Sequence, residues 1–334
     1  MLKFNPVVSQ LLTGLNNKCI NNFLFHASLY FYSIMTIETL NKQFGRANTI
    51  TFREGKGGLP MIHISNQAAS GIISLYGAQI LSYVPLGQKD ILWMSEDSLF
   101  ETGKAIRGGV PVCFPWFGPH LTDKAKPQHG FARLQEWEVA SVEASAAKEI
   151  AVTLSLNESA FSVALWPYSF KAVTTFTIGK TLEIKLAITN TGKETFEYSD
   201  ALHTYFNISD ISNINIDGLQ NCSYYEGFGM ELKTQQTALL TFDSETNRRY
   251  IDHSGDCIIN DPGYNRKIRS GKTGSKVTVA WNPWEATAKT MTDIHPGGYR
   301  TYVCAEPANT YPGIDMIKLA PGESHTLSTT IAVI

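Results

Sequence analysis

The strongest constraint on this chain is an alternation. In "TLEIKLAITN", Leu182, Ile184, Leu186 and Ile188 take every second position, with Glu183, Lys185 and Thr189 among the residues between them. Successive side chains of a strand point to opposite faces, so this pattern fits a half-buried strand and not a helix. "AVTLSLN", "KAVTTFTIG", "SKVTVAWN" and "HTLSTTIAVI" are similarly rich in β-branched residues, and "NTGKE", "DGLQN", "SGKTGS", "HPGG" and "APGES" supply turns between strands. Long amphipathic helical patterns, fixed-period repeats and low-complexity linkers are missing from the sequence. Many strands with short turns predict an all-β fold: one large antiparallel β-sandwich with few short helices, formed as a single domain by residues 35–334.

Size and composition agree. A chain of 334 residues with 43 % hydrophobic residues can bury a large core; length alone suggests about two domains, but β-sandwiches run past ~200 residues as one. The net charge of −2 leaves no broad basic face, which argues against a nucleic-acid partner. No apolar run reaches the ~18–20 residues that span a bilayer. The five cysteines are widely spaced and form no CxxC pair, which fits a reducing cytoplasm and neither a disulfide framework nor a zinc knuckle. Residues 1–34 differ from the rest: "NNFLFHASLYFYSIM" is apolar and aromatic but lacks a basic lead-in and a small-residue cleavage site. They read as an N-terminal extension, helical or disordered, with Met35 as a natural start.

Chemistry-bearing residues fall in three places. In "YSDALHTYFNISD", alternation sends Leu202, Thr204, Phe206 and Ile208 one way and His203, Tyr205 and Asn207 the other. The second set is a polar row in need of solvent, ligand or hydrogen bonds, although His203 also reads as a satisfied structural histidine. In "GYRTYVCAEPAN", Arg300, Tyr302, Cys304 and Glu306 share a face, and Pro307 places Glu306 at the strand's end. Glu306 is either a buried ion-pair partner or a carboxylate in use. In "RGGVPVCFPWFGPH" and "QHGFAR", glycines and prolines stiffen the chain around Arg107, Gln128 and Arg133. The two arginines read as a forked clamp for an anion or hydroxyl-rich ligand, or as structural donors to loop carbonyls. Trp281 and Trp284 offer a sugar platform or ordinary packing.

Taken in order and at their separations, "RGGVPVCFPWFG", "QHGFAR", "HTYFNISD", "WNPWEATAKTMTD" and "YRTYVCAEPAN" resemble the hexose-6-phosphate mutarotases, the glucose-6-phosphate 1-epimerase branch of the galactose mutarotase-like sandwiches. The resemblance covers roughly residues 40 to 334. It implies a sugar held in a groove on one sheet, His203 and Glu306 as catalytic residues, and Arg107, Gln128 and Arg133 as substrate-binding positions, with His129 lining the pocket. Where the family has "ETDRxY" this chain reads "ETNRRY", so Asn247 replaces a ligand-contacting aspartate, a change that bears on sugar and phosphate specificity.

Mutarotation requires a proton delivered to the ring oxygen while another leaves the anomeric hydroxyl. An imidazolium and a carboxylate on opposite sides of the anomeric carbon meet that need, with His203 as acid and Glu306 as base. No cofactor or metal is required, and GxGxxG, GxxxxGK[ST] and HExxH are absent from the sequence. The expected partner is a small sugar or sugar phosphate, and the expected state a monomer or weak dimer. Competing readings are an epimerase for unphosphorylated aldoses, a non-catalytic sugar-binding module, a glycosidase using Glu306 with Asp200, Asp217 or Asp293, and a metal site of His129, His203 and Glu306, whose spacings match no ligand pattern.

Overall fold

The computed structural model describes residues 35–145, 149–235, 237–310 and 315–334, so the extension read into residues 1–34 lies outside the described residues. At the described start, Thr36 caps the helix Ile37–Phe44 by accepting the Thr39 N–H. Asn41 on that helix exchanges two hydrogen bonds with the Phe52 backbone, fastening it to the first strand. That strand opens a four-stranded meander, Ile50–Glu54, Pro60–Ser65, Ala69–Ser74 and Gln79–Pro85.

Two larger antiparallel sheets follow. One runs in the order Asn215–Asp217, Cys257–Asp261, Arg266–Thr273, Ser324–Val333, Leu182–Asn190, Phe170–Ile178, Ile150–Asn157, Glu138–Ala144. The other runs Leu232–Thr234, Ser223–Glu226, Thr246–Tyr250, Val277–Asn282, Tyr302–Asn309, Asp200–Leu202, Val112–Cys113, with Tyr205–Asn207 also paired to Tyr302–Asn309. The inner faces of these sheets meet in one core, where Ile184, Leu186, Leu327 and Ile331 pack with Leu202, Phe206, Val303 and Ala305. Burying each large aliphatic side chain contributes about 1.5–3 kcal/mol. The all-β sandwich read from the alternation is therefore the observed architecture.

Two local readings change. Arg300 does not share the face of Glu306: it sits in the 3-10 turn Gly298–Thr301, exposed, and bonds the Asp210 carboxylate. Nor does Pro307 end the strand, which continues to Asn309 and leaves Glu306 inside it. Pro307 stands next to the break at His203 and Thr204 between the neighbouring strands, and a residue without an N–H is tolerated where a ladder is already interrupted.

Candidate active site

The sheet register brings the predicted pair together. Ala201 pairs with Ala308 and Tyr205 with Cys304, so the residues midway between, His203 and Glu306, stand opposite each other. Their side chains meet at 3.3 Å, Nδ1 to Oε1, with Glu306 1 % exposed and His203 8 %. That separation is an ion-pair distance, but among the described residues neither His203 Nδ1 nor either Glu306 oxygen has an aligned hydrogen-bond partner. The alternation read for His203 and its neighbours holds: Leu202, Phe206 and Ile208 enter the core, while His203 and Tyr205 line the other face.

That face is built in cross-strand rows. Arg249, Val279 and Glu306 form one row; Asn247, Trp281, Cys304 and Tyr205 form the next. Tyr205 stacks on His203 with centroids 4.8 Å apart and planes 9° from parallel, and Trp281 meets the His203 ring edge-on at 5.7 Å. Trp281 thus lies on the same sheet face as the pair. Trp284 packs on Tyr299 instead.

The glycine-rich segment does what its composition predicts. Gly109 has φ +59°, and a Cβ there would lie 2.2 Å from the Ile80 carbonyl oxygen, so only glycine permits this close crossing. Arg107, just before it, donates from Nη1 to the Tyr205 hydroxyl at 2.7 Å and from Nε to Asp293 at 3.0 Å. Its guanidinium is held one aromatic ring away from His203. The "QHGFAR" segment folds back on the first loop: Gly118 donates to His129 Nδ1 at 3.1 Å, and His129 N–H donates to the Gly118 carbonyl at 2.7 Å. The His129 and His203 rings meet edge to face at 5.4 Å. Arg133 donates to the Gln128 carbonyl at 2.8 Å, and its buried Nε has no hydrogen-bond partner among the described residues. Gln128 is exposed at the rim, and its amide lies 3.4 Å from His129 Nε2. Asn247 is half-buried beside Trp281 in its cross-strand row, and Gly227 donates to its backbone carbonyl.

Burial dominates the electrostatics of the pair. Burial pushes the Glu306 carboxyl well above the usual range, opposed by Arg133. Burial, then Arg107 and Arg133, hold the His203 imidazole well below its ordinary value. Both shifts disfavour the charged forms, an imidazolium and an ionised carboxylate, in the free protein. His129 is likewise depressed, first by burial, then by Arg133, His203 and Arg107.

Sequence reasoning undervalued several groups. Asp293 was a spare carboxylate for a glycosidase; it is the 2.9 Å ion-pair partner of Arg107. Asp200 is buried and accepts from Asn309, with burial pushing its carboxyl up to about 7. Asp217 accepts from Gln220. Cys304 adjoins the pair because it lies two residues before Glu306 on the same strand face, a signal the alternation did contain.

The comparisons with known proteins identify the class to which this antiparallel sandwich belongs, a family of sugar epimerases. The model of the aldose 1-epimerase family matches residues 60–332, and the chain belongs to that family. A protein of Escherichia coli K12 named "Putative glucose-6-phosphate 1-epimerase" is 36 % identical over 250 residues, 75 % of this chain and 83 % of that one. A crystal structure of a "putative mutarotase" from Salmonella typhimurium superposes with a TM-score of 0.79 at 30 % identity, covering 85 % of this chain and 93 % of that one. A galactose mutarotase related enzyme from Lactobacillus acidophilus shares the fold, with a TM-score of 0.65 at 17 % identity over 81 % and 96 % of the two chains. The protein is an isomerase-type enzyme acting on a small sugar.

Proposed function

We propose that the enzyme is a hexose-6-phosphate mutarotase in which His203 and Glu306 exchange protons with the sugar and Arg107 and Arg133 bind its phosphate. The observation that carries this reading is the buried His203–Glu306 contact at 3.3 Å, with both arginines within electrostatic reach of His203. The sequence suggested groups on opposite sides of the anomeric carbon; the structure sets them side by side. Side-by-side placement suits the chemistry, because the ring oxygen and the anomeric hydroxyl are neighbours on one carbon.

In the opening direction the Glu306 carboxylate takes the anomeric hydroxyl proton. The C1–ring-oxygen bond breaks as the carbonyl forms, and the His203 imidazolium protonates the departing ring oxygen. Rotation about C1–C2 and the reverse transfers then close the other anomer. The phosphate anion against Arg107 and Arg133 offsets the repulsion that holds the His203 imidazole down, and so favours the imidazolium that the step needs. Binding at the far end of the sugar also orients the anomeric end. Gln128, His129 and Asn247 contact hydroxyls in this reading, and one copy of the chain suffices.

NMR exchange spectroscopy of α and β anomers tests it, with glucose 6-phosphate beside glucose and galactose. Removing a charge-assisted contact by Arg107→Ala should lower kcat/KM for the phosphorylated sugar roughly 10- to 100-fold, and much less for the free sugars. Equal losses on both would remove the phosphate assignment.

A further inference from the structure

We propose that the buried cluster of His203, Cys304 and Glu306 is also an inhibitory binding site for a thiophilic divalent cation, zinc above all. One ligand atom from each of these three residues lies within 4.8 Å of the other two. The convergence is built into the sheet: Cys304 and Glu306 are two apart on one face of Tyr302–Asn309, and His203 stands opposite Glu306. Tetrahedral zinc, with bonds of about 2.0–2.1 Å to nitrogen and 2.3 Å to sulfur, sets its ligand atoms roughly 3.3–3.7 Å apart. The His203–Glu306 contact at 3.3 Å already has that spacing, so the required adjustment falls mainly on the Cys304 side chain.

A second observation points the same way. His203 Nδ1 and both Glu306 oxygens are buried without hydrogen-bond partners among the described residues. The trio weighed from the sequence used His129, but the Nδ1 of that residue accepts the Gly118 N–H; the sulfur of Cys304 takes its place. Imidazole, thiolate and carboxylate together form a zinc donor set rather than a calcium or magnesium one. The nearby guanidinium groups sharpen the choice. Arg107 is offset by Asp293, but Arg133 still repels any cation, so an ion held by charge alone is disfavoured against one that forms coordination bonds. Three protein ligands leave a fourth position open. A bound ion would therefore occupy both proton-transfer groups and exclude the sugar.

Cobalt(II) as a spectroscopic probe and zinc as an inhibitor test this on the intact protein. Cobalt should produce a thiolate-to-metal charge-transfer band and the intense visible bands of a four-coordinate ion. Both should survive Cys222→Ser and disappear in Cys304→Ser. Zinc should inhibit anomer exchange competitively with glucose 6-phosphate, a chelator should restore activity, and Cys304→Ser should raise the half-inhibiting zinc concentration by roughly tenfold or more. If Cys304→Ser does not fold, Glu306→Gln, with the thiol intact, should weaken cobalt binding by a similar factor. A wild-type spectrum without a thiolate band, or one unchanged by Cys304→Ser, overturns the site. The cobalt arm uses no sugar, so its failure is separate from failure of the substrate assignment.

Discussion

The strands Leu182–Asn190 and Tyr302–Asn309 lie in different sheets of the sandwich, and both alternate. In the first, Leu182, Ile184, Leu186 and Ile188 are fully buried, whereas Lys185 is exposed and Glu183 half-buried. In the second all eight residues are buried, and the face turned from the core carries Tyr302, Cys304 and Glu306. The first strand gives its polar residues to water. The second withholds them from water, and among the described residues leaves the Tyr302 hydroxyl and the Glu306 carboxyl without hydrogen-bond partners, which is unfavourable unless something else is to meet them there. A sheet face that is buried, polar and unpaired marks chemistry more clearly than any single residue does.

Breaking the second strand's polar face should have the largest effect, and on activity. His203→Ala and Glu306→Ala should each lower kcat for anomer exchange about 10²–10⁴-fold while the far-ultraviolet circular dichroism stays native. A His203→Ala protein with unchanged turnover would end the acid assignment. On the first strand the loss should be of stability alone. Leu186→Ala should cost about 2–5 kcal/mol in denaturant unfolding, with the activity per folded molecule retained; a kcat defect there would blur the contrast between the strands.

Glu306→Gln sharpens it in the opposite sense, because function and stability should part. The folded state holds the Glu306 proton to a pH well above the unfolded value, so over that window the unfolded chain binds fewer protons and stability falls as pH rises. An amide needs no proton. The variant should be inactive, melt higher than wild type at neutral pH, and lose that advantage as the pH drops below the range where an unfolded glutamate ionises. A melting temperature lowered equally at every pH would contradict the burial argument. The smallest effect belongs to the solvent face of the first strand. Glu183 and Lys185 form an ion pair at 2.8 Å with Lys185 half exposed, and Glu183→Ala should change stability by about 0–1 kcal/mol, less in high salt.

Much of this was legible in the residues. The alternation around His203 correctly separated Leu202, Phe206 and Ile208 from His203 and Tyr205, because a strand has only two faces. Pro307 misled, because a missing N–H matters only where a neighbouring strand would have accepted from it, and that strand is distant in the chain. Arg300 misled because a local 3-10 turn interrupts the period of two. The role of Asp293 beside Arg107 had no sequence signal, since a carboxylate's partner is chosen by folding and not by spacing.

The sequence by itself determined the two-sheet sandwich and which face of each strand is apolar. Those properties depend on neighbours one or two residues away. Tertiary structure alone decided that His203 meets Glu306, that Cys304 joins them, and that burial pushes the Glu306 carboxyl up and the His203 imidazole down. These depend on strand register and on how much water the fold excludes, and both are set by residues remote in the chain.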